Sequence, residues 1–205
     1  MELYKNNEIV VPDSPYPFGY KIGWYAIKNE TTLSVIEKMK LKVVKESNWE
    51  DGINLVSEHL QYTFITPIVD GYVLVVNIVS DDEHNLVKKH ALLFDELQYF
   101  GTHHVVEYNV WAKFLNGKVI RGYCFIGESN EIKWNEGEIT TEEKNLGFDK
   151  FPANSDTLSA DDFDYENLPN EEDVLNIAKA WGVDTTFSSG LYEKGVGFIC
   201  ETPGR

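Results

Sequence analysis

The chain has 205 residues, 13% of them aromatic, and a composition typical of a packed globular protein. Its formal net charge of −16 at pH 7 repels nucleic-acid phosphates and anionic membranes, so we expect neither as a partner. No apolar run is long enough to span a bilayer, no signal-peptide pattern opens the sequence, and Cys124 and Cys200 are the only cysteines, which together predict a reduced, cytoplasmic protein.

The first half of the chain predicts alternating strands and helices. A proline-containing arm leads to a short strand at residues 20–27, and Thr31 or Thr32 can cap a helix over residues 33–41. The pattern over residues 49–60 is ambiguous. A hairpin follows, in which Asp70-Gly71 joins the strands TFITPIV and YVLVVNIV.

The two strands of this hairpin differ in their predicted positions. The second strand is apolar on both faces, which is typical of a central strand covered on both sides. Pro67 cannot donate to a sheet ladder, so it predicts that the first strand lies at an edge or contains a bulge.

The second half predicts a helix over residues 85–98 and then a second hairpin over residues 99–128, which turns at Asn116-Gly117. A strand at residues 131–134 and a short helix with a capping box at Thr140 follow. The chain ends with a polar acidic segment, a helix over residues 171–181 and a strand at residues 196–200.

Two hairpins alternating with helices predict an α+β fold, with an antiparallel sheet and helices packed mainly on one side. We expect a single domain over residues 1–205 with an acidic loop at about residues 151–169. The roughly thirty residues that follow this loop are too few to form a core of their own.

The register of the second hairpin predicts a candidate site. With a two-residue loop, Leu115 pairs with Lys118 and Ala112 pairs with Arg121, while Trp111 falls opposite Gly122 and fills its space. One face of the hairpin then contains a histidine and an arginine among mainly apolar residues: His104, Val106, Tyr108, Val110, Ala112, Phe114, Val119, Arg121, Tyr123 and Phe125.

Arg121 needs a partner on that face, because a guanidinium keeps its charge and is costly to desolvate. One interpretation is a structural ion pair; the other is a clamp for an anion or carboxylate, with Tyr108 and Tyr123 beside Arg121 as ligand-binding residues. In the second interpretation His104 and Glu128 are candidates for moving protons. Glu128 is also a candidate partner for Arg121.

The acidic segment is the other candidate site. Residues 156–173 contain eight carboxylates and no lysine or arginine. A calcium loop is one interpretation, but Asn167 stands where such a loop needs glycine and Pro169 interrupts it. We therefore expect no metal and no cofactor, and a partner-binding surface formed by Asp161, Asp162, Asp164 and Glu166. The sequence also lacks phosphate-loop, nucleophile-elbow and Cys-x-x-Cys motifs.

Two resemblances accompany these patterns. A family of uncharacterised bacterial cytosolic proteins resembles the chain over residues 99–181, in the segments FGTHHVVEYNVWA, RGYCFIGE, EGEITTEEKNLGF and EEDVLNIAKAW. This resemblance implies no activity. The segment ITTEEKNLGFDKFP resembles the opening helix of the cell-wall-regulator superfamily, whose bacterial members often serve as toxin immunity proteins. In that superfamily the motif lies near the start of the domain, whereas here it follows two hairpins.

These observations support two main hypotheses. The first is a non-enzymatic acidic binding protein of the bacterial cytosol, in its most concrete form an immunity protein that neutralises a basic toxin domain. The alternative is a small-molecule enzyme or ligand-binding protein with an anion pocket around Arg121 and His104. A structural subunit of a larger assembly is also compatible with the aromatic content.

Overall fold

An antiparallel sheet of nine strands organises the part of the chain that the structure describes. The computed structural model describes residues 9–77, 83–155, 168–188 and 190–202. Its strands are β1 Gly23–Lys28, β2 Val43–Ser47, β3 Tyr62–Ile65, β4 Tyr72–Val76, β5 Glu96–His103, β6 Tyr108–Leu115, β7 Lys118–Ile126, β8 Glu131–Glu136 and β9 Gly197–Glu201. Their order across the sheet is β2-β9-β3-β4-β1-β5-β6-β7-β8.

Helices cover both faces of this sheet, which confirms the α+β class. The described helices are α1 Thr32–Met39, α2 Trp49–Glu58, α3 Glu83–Ala91, α4 Thr141–Asn145 and α5 Glu171–Ala180, with a 3-10 turn at Phe148–Lys150. Helices α2 and α5 pack on one face, and α1 and α3 pack on the other. The prediction of helices mainly on one side is not confirmed, and the two predicted hairpins supply only part of the sheet. None of these helices combines the length and apolar character needed to cross a membrane.

The first hairpin forms as predicted at its turn and in its second strand. Asp70 and Gly71 have φ values of 51° and 80°, which a type I′ turn requires, and Val69 and Tyr72 exchange two backbone hydrogen bonds of 2.8 Å. Every residue of β4 is buried, and the strand lies inside the sheet. The edge position predicted from Pro67 is wrong, because β3 ends at Ile65 and lies between β9 and β4.

The helix predicted over residues 85–98 is also wrong in its second half. Helix α3 ends at Ala91, and β5 begins at Glu96 and pairs with both β1 and β6. Leu92 and Leu93, which fall within the predicted helix, are 73% and 38% exposed. Pairing on both sides outweighs the helical propensity of this segment.

A bulge at Ile120 changes the register of the second hairpin. Leu115 pairs with Lys118 as predicted, but Lys113 then pairs with Arg121, so Ile120 is the extra residue. A one-residue shift moves each following side chain to the opposite face. Trp111 therefore lies opposite Tyr123, on the α2/α5 face, while Tyr108 packs on the α1/α3 face.

Trp134 of β8, and not Trp111, fills the space beside Gly122. A methyl group on Gly122 would lie 2.3 Å from Cε2 of Trp134. We expect Gly122→Ala to lower the free energy of unfolding by about 1–3 kcal/mol, because the packed ring must move. Denaturant titration measures this loss. In a Trp134→Phe background the smaller ring leaves room, so the same substitution should cost less; equal costs in both backgrounds would contradict the steric explanation.

Candidate functional site

Arg121 is buried and paired with a carboxylate, which confirms that part of the prediction. The residue is 5% exposed, and its side-chain Nε donates to Oε1 of Glu143 at 2.8 Å. Its Nη1 donates to Oδ1 of Asn135 at 2.6 Å and to two backbone carbonyl oxygens at 3.0 and 3.3 Å. The carboxylate partner is Glu143, not Glu128. Arg121 therefore has its charge compensated within the protein.

The Glu143 carboxylate accepts hydrogen bonds from three residues, one of which is Arg121. Its Oε1 also accepts a hydrogen bond from Nε1 of Trp111 at 2.8 Å, and its Oε2 accepts one from the backbone N–H of Thr140 at 2.8 Å. The Thr140 hydroxyl in turn accepts from the N–H of Glu143, so the predicted capping box of α4 is present. One side chain therefore caps a helix and neutralises a buried arginine.

A small cavity of about 260 Å³ adjoins this ion pair, lined by Arg121, Tyr123 and Phe151 among others. The Tyr123 hydroxyl donates to the carbonyl oxygen of Pro152 at 3.0 Å. Burial raises the pKa of Tyr123 above its ordinary value of 10, so the phenol stays protonated at neutral pH. The cavity thus presents a neutral phenol and a compensated guanidinium, which is a weak arrangement for holding an anion.

His104, Glu128 and Tyr108 do not join Arg121. His104 is exposed in the turn between β5 and β6, and Glu128 is exposed in the turn between β7 and β8. The N–H of Glu128 donates to the carbonyl of Val106 at 3.2 Å, so these two turns meet at one end of the sheet. Arg121 lies five residues back along β7 from Ile126, about 17 Å at about 3.3 Å per residue.

The same end of the sheet contains a larger cleft, which we call the acidic cleft. It has a volume of about 740 Å³ and lies between the β5–β6 turn, the start of β6 and the start of α5. Its lining includes three carboxylate residues and, among the described residues, no lysine or arginine. The lining residues that bear on function are Tyr20, His104, Glu107, Asn109, Glu171 and Glu172.

Local structure accounts for the positions of all three carboxylates. Glu107 has a φ of 50° at the end of its turn, and its side chain packs on Gly127, where a methyl group would lie 2.0 Å from Oε2 of Glu107. Glu171 and Glu172 begin α5, where the helix dipole favours negative charge. The acidic cleft therefore concentrates negative charge at a site that the fold holds in place.

Two side-chain oxygens, both on residues that line the cleft, are buried without a hydrogen-bond partner among the described residues. They are Oδ1 of Asn109 and Oε1 of Glu171. Asn109 is 2% exposed, and its Nδ2 donates to the carbonyl oxygens of Glu107 at 3.2 Å and Pro169 at 3.1 Å. A buried acceptor left unpaired costs about 1–3 kcal/mol. The acidic cleft therefore suits a ligand that donates hydrogen bonds.

The predicted partner-binding residues Asp161, Asp162, Asp164 and Glu166 lie outside the described residues. The chain resumes at Leu168, which lines the acidic cleft, so the acidic segment leads directly to it in sequence. No group of three or more metal-ligating side chains occurs within the described ranges.

A comparison with known proteins found no matching family model, no matching curated protein and no matching solved structure. Function is therefore inferred from the chemistry of the acidic cleft. The sequence patterns did not identify Asn109 or Glu107 as site residues. Glu171 and Glu172 were recognisable only as the acidic first turn of a helix, because nothing local places that turn beside β6.

Proposed function

We propose that the protein is a non-enzymatic acidic binding protein and that its acidic cleft receives a basic partner protein. The observation that carries this proposal is the lining of the cleft, where the described residues include the carboxylates of Glu107, Glu171 and Glu172 but no lysine or arginine. Like charges held together without a cation favour a positively charged ligand.

The charge of the whole chain supports the same partner. The net charge is −16, and residues 156–173 contain eight carboxylates, of which Glu171 and Glu172 line the cleft. Asp161, Asp162, Asp164 and Glu166 belong to this segment, and we propose that they help to attract the partner over a distance. Such steering raises association rates and favours basic partners over acidic ones. An immunity protein that neutralises a basic toxin domain is the most concrete form of this function.

The alternative of an enzyme with an anion pocket has less support. Arg121 already compensates Glu143, and His104 lies in a turn at the end of the sheet, away from Arg121. A bound anion would have to compete with a buried carboxylate for the guanidinium.

The test uses fluorescein-labelled deca-arginine as a defined basic probe, with binding followed by fluorescence anisotropy at low ionic strength. Replacing Glu107, Glu171 and Glu172 together with Gln removes three charges from the cleft. At about 0.5 kcal/mol per charge, we expect the affinity to fall about tenfold. Salt should reduce the difference, because charges are screened over about 10 Å at 0.1 M.

The matched control replaces Glu37, Glu58 and Glu138 with Gln. These three carboxylates are exposed, lie outside the acidic cleft, and change the net charge by the same amount. We expect this control to weaken binding by less than about twofold. Equal losses in both triple variants would show that only bulk charge matters and would contradict a partner site at the cleft.

A further inference from the structure

The acidic cleft contains an unsatisfied acceptor whose orientation is fixed. Asn109 is 2% exposed, and one end of its side-chain amide lies between the carbonyl oxygens of Glu107 and Pro169. Only the NH₂ group can donate to two carbonyls, so the other end must be Oδ1. Asn109 is one of the residues that line the cleft, and its Oδ1 has no hydrogen-bond partner among the described residues.

We propose that the acidic cleft is a subsite for one arginine side chain of the basic partner, whose guanidinium donates to Oδ1 of Asn109 and to Oε1 of Glu171. This inference rests on the proposed function, since the arginine is presented by the partner protein. Glu107 and Glu172 supply further carboxylate oxygens around the bound cation.

Three backbone donors at the start of α5 already have acceptors within the protein. Oδ1 of Asn170 accepts hydrogen bonds from the N–H groups of Glu172 at 2.8 Å and Asp173 at 3.2 Å. The N–H of Asn170 itself donates to Oδ2 of Asp173 at 2.9 Å. The capping box thus occupies these backbone donors, and the side chains that α5 turns towards the cleft are acceptors.

Arginine fits this lining better than lysine does. A guanidinium carries five N–H donors in a planar fork, so it can reach several acceptors at once and lie flat on an aromatic ring. Tyr20 lines the cleft and is 59% exposed, which leaves its ring accessible for such stacking. A lysine ammonium is a compact, strongly hydrated charge that gains less from spread acceptors.

The test titrates the full chain with three capped amino acids, the N-acetyl N-methylamides of arginine, lysine and citrulline, and follows ¹H–¹⁵N NMR spectra. Citrulline has the shape of arginine without its charge. We expect saturable shifts of the Asn109 side-chain amide and the Glu172 backbone amide with arginine, about fivefold weaker binding of lysine, and no saturation with citrulline.

A single substitution distinguishes binding at the proposed arginine subsite from a general effect of net charge. Asn109→Ala would also remove the hydrogen bond to Pro169, so we choose Glu171→Gln, which leaves the capping box of α5 intact. It should weaken arginine binding about fivefold, whereas Glu58→Gln, with the same charge change at an exposed position outside the cleft, should not alter it.

The outcomes distinguish this inference from the proposed function. Equal affinities for arginine and lysine, or shifts away from the acidic cleft, would overturn the arginine subsite. The proposed function would still hold if deca-arginine binding depends on the three cleft carboxylates. If deca-arginine binding does not depend on them while capped arginine still binds at Asn109, the proposed partner site is overturned and the arginine subsite is not.

Discussion

Replacing Arg121 with Met is expected to lower the free energy of unfolding by about 3–5 kcal/mol, because Glu143 would remain buried without its cation. Both side chains lie in the interior, at 6% and 0% exposure, so water cannot replace the lost partner. Chemical denaturation measures the loss. The five tryptophans of the chain make intrinsic fluorescence a suitable signal.

A double-mutant cycle tests whether the ion pair is the cause. Glu143→Gln keeps the shape of the side chain and an oxygen that Nε1 of Trp111 can donate to, but it removes the charge. The variant that carries both substitutions should therefore be more stable than the sum of the single losses predicts, by about 1–3 kcal/mol. Additive losses would contradict the charge-pair explanation. Unchanged binding of deca-arginine by folded Arg121→Met would agree with a structural role for this residue.

Much of the fold follows from local signals in the sequence. Asp70-Gly71 and Asn116-Gly117 set two turns, and both adopt the positive φ values that such turns need. Asn170 and Thr140 cap helices with capping boxes, and the final apolar run forms β9. These features depend on residues only a few positions apart. The α+β class could therefore be predicted.

The bulge at Ile120 could not be predicted, because a single extra residue in a strand has no strong sequence signature. The bulge is explained by tertiary contacts. The bulged register brings Arg121 to the face where Trp111 and Glu143 lie, whereas the unbulged register would place it opposite Ala112, on the other face. A buried carboxylate that needs a cation thus favours the shifted register.

The acidic cleft could not be predicted from the sequence for a related reason. Asn109 and Pro169 form a direct hydrogen bond although they are 60 positions apart, and no local pattern links the start of β6 to the start of α5. In the sequence, Glu107 and Glu171 look like ordinary surface carboxylates. In the structure, this contact brings both of them to one cleft. The net charge of the chain indicates the class of partner, but only the fold shows where on the surface the negative charge is concentrated.

His90 should make the protein lose stability as the pH falls below neutrality. This residue of α3 is 6% exposed, and its Nδ1 lies 3.0 Å from the Tyr25 hydroxyl in the apolar core. Burial lowers the pKa of His90 from 6.5 to about 4, with a smaller contribution from the neighbouring Lys89. In the folded protein the imidazole is therefore neutral over a pH range in which the unfolded chain already binds a proton.

The difference in His90 pKa between the folded and unfolded states sets the direction and size of the change in stability with pH. Between pH 6.5 and about 4 the unfolded state binds more protons than the folded state, so stability rises with pH across that window and its His90 contribution is complete above it. A shift of this size corresponds to about 3 kcal/mol. Between pH 7.5 and 4, we expect the free energy of unfolding of the wild type to fall by about 3 kcal/mol more than that of His90→Gln, measured by denaturant titration at each pH.

His59→Gln, at an exposed histidine, is the control and should follow the wild-type curve. If His90→Gln follows it as well, the acid sensitivity belongs to the carboxylates and not to this buried imidazole.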